Sequence, residues 1–220
     1  MSWILPSGAS TFAGDIDFLY YLILVITGIA FVVVEVGLVW FLIKYRAQPN
    51  RKATYLHGST KAEVVWTAVP AVTVIVIGIM SGGVWNHIKG RDSAPANALQ
   101  YNVAVRQFEW DFTHAGADQR LETGDDVTVR NQLHIPVNRP VLLHMRSEDV
   151  IHAFFVPAFR VKQDAVPGMT IEVWFEATEE GEYEIACAEL CGLGHYRMAA
   201  SVRVHSVESY ANWLAEQSAD

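Results

Sequence analysis

The sequence predicts two N-terminal transmembrane helices followed by an all-β domain, an antiparallel sandwich or Greek-key barrel, and three observations carry that expectation. Two runs, Phe18–Lys44 and Val64–Trp85, are almost continuously apolar. From about Tyr101 the apolar period changes from helical to two. The charge balance inverts between the parts: residues 86–220 hold 20 Asp and Glu against 11 Lys and Arg, net −9, whereas residues 1–85 carry +1. At 51% hydrophobic, 18% charged and a mean hydropathy of +0.19, the 220-residue chain is too apolar for an ordinary soluble domain and is not disordered. A formal net charge of −8 argues against nucleic acid as a partner, because phosphate binding needs clustered Lys and Arg.

The first run, residues 18–44, contains Glu35 as its one ionisable residue before the terminal lysine. Its 27 residues make a helix of roughly 40 Å, enough to cross a hydrocarbon core of about 30 Å. The second, residues 64–85, has no charge; Pro70 lies in its early turns, where membrane helices tolerate proline. The external segment 1–17 has no basic residue ahead of the first run, which predicts an uncleaved anchor instead of a signal peptide. The loop at 45–63, together with Lys44, supplies five basic residues and no acid before Glu63. The positive-inside rule therefore places it in the cytoplasm and both termini outside. A carboxyl within a membrane span is costly, so Glu35 is expected to face partner helices or water and not lipid.

Residues 86–100, with Gly90 and Pro95, read as a linker. Short alternating runs then follow at Tyr101–Phe112, Val127–Ile135, Val141–Arg146, Ile171–Glu176, Glu182–Cys187 and Ala200–His205, separated by turns such as Val166-Pro167-Gly168. Residues 206–220 form a C-terminal helix or tail.

Chemistry enters with Cys187, Cys191, His195 and Met198, two thiols, an imidazole and a thioether within 12 residues. Such soft donors select copper or zinc over hard cations, and Gly192 and Gly194 permit a tight loop. Four readings compete. A Cys187–Cys191 disulfide leaves His195 and Met198 without a role. Zinc rarely recruits methionine, and a mononuclear blue-copper site leaves one cysteine over. Two cysteinates bridging two copper ions use every donor if a second histidine arrives. His134, His144 and His205 share strand parity with arginines and are expected to face solvent; His114 lies in a polar turn. His152 differs in having an apolar run behind it, which makes it a candidate ligand as much as a core histidine.

The pattern Cys-x-Glu-x-Cys-x-x-x-His-x-x-Met, preceded by Ser147-Glu148-Asp149-Val150-x-His152 and by Lys162-Gln163-Asp164-Ala165-Val166-Pro167-Gly168, resembles subunit II of the haem–copper cytochrome c oxidases. The segment Glu63–Pro70 and the aromatic strand Gln107–Phe112 extend the resemblance over nearly the whole chain. It implies a cupredoxin-like domain over 101–205 holding a binuclear copper centre, CuA. Cys187 and Cys191 would bridge the ions and His152 and His195 would each bind one. Met198 and the backbone carbonyl of Glu189 complete the set, and the Glu189 side chain would bind magnesium at the interface with the catalytic subunit. Lys162 and Asp164 would lie near that interface, and Glu63 at the mouth of a proton pathway. Electrons would enter past Phe108 and Trp110, with Glu148 and Asp149 docking a basic donor. Phe108 departs from the family pattern, which has tryptophan there.

The implied role is to accept electrons from cytochrome c and pass them to the haem–copper catalytic subunit, which reduces oxygen to water; a third subunit is the expected further partner. Two alternatives are the corresponding subunit of a nitric-oxide reductase and a membrane-anchored β-sandwich with a structural disulfide or zinc. The lack of a transit peptide points to the plasma membrane of a bacterium.

Overall fold

The computed structural model describes residues 4–218. The chain divides into two compact units, Asp15–Trp85 and Met1–Gly14 with Asn86–Asp220.

The first unit holds helices α1 (Ala13–Lys44) and α2 (Thr60–Lys89), apart from residues 13–14 and 86–89 at their outer ends, which belong to the second unit, and the irregular segment between them. Both extend past the apolar runs by about a turn, because polar residues at a helix end still make backbone bonds. Ser59 precedes α2 and its hydroxyl accepts from Ala62 N at 3.4 Å. Both helices are apolar on every face, and no residue beyond Ala13 is buried. Phe31, Leu42 and Ile79 are about two-thirds exposed or more. A helix hydrophobic all round belongs in lipid or in the core of a larger assembly. Lys44 closes α1 with its ammonium 4.2 Å over the Trp40 ring, an amphipathic pairing suited to a membrane boundary.

The second unit is a sandwich of two five-stranded sheets. One has the order β3 (Val127–Arg130), β2 (Glu109–His114), β1 (Leu99–Arg106), β5 (Pro140–Ser147), β8 (Ile171–Glu176). The other runs β4 (Gln132–Pro136), β10 (Ala199–His205), β9 (Gly181–Cys187), β6 (His152–Val156), β7 (Val161–Ala165). The sheets are mixed instead of purely antiparallel: β1 pairs parallel with β5, and β10 with β4. Each parallel pair joins strands far apart in sequence, as Greek-key crossovers between two sheets require. The inner faces meet over Trp110, Phe112, Leu133, Leu143, Phe154 and Phe175, all fully buried. Burying side chains of this size contributes about 1.5–3 kcal/mol each, so the aromatic strand β2 is a major anchor of the core.

Asn131, with φ 56°, separates β3 from β4 and sends them to different sheets, although the alternation of 127–135 reads as one strand. The parity argument therefore fails across it, and His134 is buried, not solvent-facing. Its outer side is covered by the C-terminal helix α3 (Val207–Gln217), whose Trp213 stacks on the His134 ring at 3.9 Å and 3°. His134 Nδ1 lies 2.9 Å from His205 Nε2, leaving His205 only half-exposed. His114 is also fully buried, at the end of β2 and not in a turn. His144 does face outward, near Gln100 and Glu172.

The N-terminal segment is part of this unit. Ala9 N donates to Ala158 O, Thr11 N to Glu176 O and Thr178 N to Ala9 O, adding a short edge contact beside β8. Phe12 packs edge-on against Trp174 at 4.6 Å, and Trp174 Nε1 donates to Ile88 O at 2.9 Å. The segment before β1 is thus tied down at several points, with Lys89 Nζ donating to Gln163 Oε1 at 2.5 Å.

Candidate metal centre

Strand β9 delivers Cys187 to the end of the sandwich with the same inward parity as Ile185. The register pairs Cys187 with Phe154, which brings the start of β6, and so His152, alongside. The loop after β9 is closed on itself: His195 N donates to Gly192 O, Met198 N to His195 O, and Cys187 N to Met198 O, each at 3.1 Å. These bonds fold four donor side chains of the loop toward one place.

Cys187 Sγ and Cys191 Sγ are 3.8 Å apart, far beyond a disulfide bond of about 2.05 Å, and both thiols are free and buried. His152 Nδ1 lies 3.9 Å from Cys187 Sγ and His195 Nδ1 3.6 Å from Cys191 Sγ, so each imidazole approaches a different sulfur. Met198 Sδ is 3.6 Å from Cys191 Sγ, and the Glu189 carbonyl oxygen is 3.3 Å from Cys187 Sγ. The ligand atoms of His152, Cys187 and Cys191 all fall within 4.8 Å of one another. A first-row ion about 2.3 Å from each sulfur would see the pair at roughly 110°, close to the tetrahedral angle. Six donors exceed the four a tetrahedral ion takes, but two ions sharing both sulfurs use all six. The donor set therefore fits a pair of soft ions.

Burial and the adjacent Cys187 push the Cys191 thiol up to about 11, so without a cation it keeps its proton at neutral pH. Metal binding must release that proton, which makes affinity fall as pH is lowered.

The supporting shell is specific. Asp149 Oδ1 lies 2.8 Å from His152 Nε2; with Nε2–H donating there, Nδ1 is left as the nitrogen that faces the sulfur. Burial alone would raise the Asp149 carboxyl, but hydrogen bonds from His152, Gln107 N–H and Val150 N–H hold it below its ordinary value. Gln107 Nε2 also donates to Cys191 O at 2.5 Å. Gly192, at φ +128°, and Gly194 let the Gln107–Phe108 corner lie against the loop. A Cβ on Gly194 would sit 2.6 Å from the Phe108 ring, and one on Gly192 2.5 Å from Gln107 Nε2.

The residues expected from sequence thus divide. His152, Cys187, Cys191, His195, Met198 and the Glu189 carbonyl come together. Phe108 is half-buried against the loop, whereas Trp110 is fully buried, its ring 6.3 Å from that of His152, with no acceptor for its indole N–H among the described residues. Asp149 faces His152, while Glu148 is exposed and 3.4 Å from Arg106. Lys162 and Asp164 lie on β7, and Glu63 in the first turn of α2. The role of Gln107 was not legible in the sequence; Asp149, three residues before His152, was the available signal for an orienting carboxylate. Leu190, Leu193 and Tyr196 ring the loop as large apolar side chains left in solvent.

Comparison with known proteins identifies the family. A family model of the cytochrome c oxidase subunit II periplasmic domain covers residues 106–205, and one of its transmembrane domain covers residues 1–83. The alternative cytochrome c oxidase subunit 2 of Bradyrhizobium diazoefficiens is 32% identical over 217 residues, spanning 87% of this chain and 76% of that protein. Cytochrome c oxidase subunit 2 of Synechocystis sp. is 30% identical, over 96% of this chain and 75% of that protein. The crystal structure of the periplasmic domain of subunit II of the cytochrome oxidase of Bradyrhizobium japonicum superposes with a TM-score of 0.50 at 28% identity. It covers 56% of this chain and 96% of that one. From the two-helix anchor, the cupredoxin-like sandwich and these matches, the chain belongs to the cytochrome c oxidase subunit II family.

Proposed function

We propose that Cys187 and Cys191 bridge two copper ions, that His152 and His195 each bind one, and that Met198 and the Glu189 carbonyl complete the two coordination shells. Membership of the family makes the chain the copper-bearing subunit through which electrons reach a membrane-embedded haem–copper oxidase. The observation that carries the residue assignment is the convergence of four further donors, two imidazoles, a thioether and a carbonyl, on two sulfurs 3.8 Å apart. Copper bound there supplies a one-electron carrier. The chain's own part is to keep the ligands fixed: Asp149 and Gln107 brace His152 and the Cys191 carbonyl, and burial excludes water. Six protein donors leave no open position for a substrate, so this chain relays electrons and the chemistry on oxygen belongs to the catalytic subunit.

The donor is a basic haem protein of the cytochrome c kind, attracted by the net charge of −9 on residues 86–220. Among the acidic candidates Glu148 is exposed at the site and suits docking, whereas the Asp149 carboxylate is turned to His152. Phe108, half-buried against the loop, and Trp110, fully buried beside His152, are the proposed aromatics of electron entry. The apolar rim of Leu190, Leu193 and Tyr196 meets the catalytic subunit, where the Glu189 side chain would take a magnesium ion and Lys162 and Asp164 would lie close by. A third subunit, and Glu63 at a proton inlet, complete the proposed complex. The sandwich and N-terminal segment form one unit joined to two spans, which supports a single side for both termini; the basic loop makes that side the periplasm.

In the purified complex, Cys187→Ser should abolish electron uptake from a reduced cytochrome c while leaving the haem spectrum of the catalytic subunit intact. Uptake at the normal rate in that variant would reject the assignment.

A further inference from the structure

A cavity of about 410 Å³ opens between α3 and the start of β1, away from the metal-ligand loop. Its size falls within the range of small-molecule sites, about 300–1,000 Å³. Its walls are largely apolar, with Ala98, Leu99, Pro136, Val207 and Leu214 among them. Its polar groups are unusual for this domain. Residues 86–220 hold nearly twice as many acids as bases, yet no carboxylate lines the cavity and one guanidinium, that of Arg139, does. Arg139 makes no ion pair or hydrogen bond to another described residue, in a unit where Arg106 and Arg130 are each paired with two or more carboxylates.

The second signal comes from the phenols on the wall. Tyr101 Oη and Tyr210 Oη are 3.0 Å apart, and Tyr101 is 1% exposed. Each phenol carries one O–H, so a pair bonded only to each other uses one proton and leaves the second without an acceptor. Among the described residues neither hydroxyl has a further partner. The largely apolar cavity thus presents a spare phenolic O–H and, at its exposed side, a guanidinium, with no protein carboxylate on its walls to receive them.

We propose that this cavity is a binding site for a small monocarboxylate with an aryl or alkyl body, its carboxylate held by Arg139 and the Tyr101–Tyr210 pair and its body lying against Leu99, Val207 and Leu214. The positive charge of Arg139 favours the anion, and a fork of N–H donors suits the two oxygens of a carboxylate. Because α3 supplies one wall and β1 the other, an occupant would hold the C-terminal helix against the sandwich and stabilise it by mass action.

The test uses the full chain in non-ionic detergent with 3-phenylpropionate as the probe, titrated by calorimetry. Saturable one-site binding is expected, at least tenfold weaker for the uncharged amide of the same acid and at least tenfold weaker in Arg139→Ala. Tyr210→Phe keeps the ring but also removes the partner of the buried Tyr101 hydroxyl, so it should weaken binding several-fold and lower the melting temperature of the free protein as well. Arg139 is exposed, so its replacement leaves the fold in place, and an unchanged copper spectrum checks this. Absence of saturable binding, or equal affinity in wild type and Arg139→Ala, would overturn the proposal.

Discussion

Acidification should loosen the sandwich through its buried histidines, His114 first among them. His114 is fully enclosed between Tyr101, His134 and Trp213. Its Nε2 accepts from His134 N at 3.2 Å and its Nδ1 lies 3.3 Å from Val127 O, so the neutral ring with Nδ1 protonated satisfies both partners. Burial lowers its pKa from 6.5 to about 4. The unfolded chain therefore binds this proton at a higher pH than the folded chain does. Stability is complete above about 6.5, falls as pH drops below it, and has lost the full contribution near 4, an interval worth roughly 3 kcal/mol. His134, lowered to about 3 by burial and then by the charges of His114, His205 and Arg203, acts in the same direction. His114→Gln removes the titration while keeping a donor and an acceptor. The assay is the urea-unfolding free energy of the full chain in detergent at pH 7 and pH 4.5, metal-free, for wild type and variant. Carboxylates and metal ligands contribute equally to both, so the difference between the two pH dependences reports His114 together with its charge coupling to His134. The gap should change by about 2 kcal/mol or more over that interval; parallel curves would refute the reasoning.

Three further outcomes follow from the metal loop and its cover. Asp149→Ala should weaken copper retention about 10- to 100-fold in a chelator competition, because His152 loses the acceptor that fixes its ring, and Asp149→Asn, which still offers an oxygen, should lose less. Gly194→Ala should lower stability by about 1–3 kcal/mol in thermal unfolding, since the new methyl meets the Phe108 ring at 2.6 Å, and adding Phe108→Ala should recover much of it. Trp213→Ala should uncover His134 and His205, seen by NMR titration as a rise in both imidazole pKa values toward the ordinary range.

The membrane spans and the ligand loop were legible in the sequence because both are local. A run such as Val64–Trp85 needs no tertiary information to be read as lipid-seeking. Likewise the spacing of Cys187, Cys191, His195 and Met198 lies within one loop that its own backbone bonds close. What was not legible depends on remote partners. His134 looked solvent-facing because Asn131 interrupts the strand and because nothing in β4 announces that Trp213, nearly 80 residues on, will cover it. Asp149 read as part of an acidic docking face; the turn that directs it back to His152 is held by Ser147 Oγ bonding to Val150 O, which spacing does not reveal. The N-terminal segment shows no strand period, yet its backbone pairs with Glu176 and Thr178. The two loop glycines were read as permitting a tight loop, but at Gly194 the requirement is the closeness of Phe108.

The measurement that bears most directly on the central claim is the copper content and electron-spin spectrum of the full chain loaded under reducing conditions and then oxidised. Two coppers per chain with one unpaired electron shared over both nuclei, lost in Cys187→Ser, is the result that the convergence of Cys187, Cys191, His152, His195 and Met198 predicts. One copper per chain with a single-nucleus signal, or zinc in its place, would contradict it.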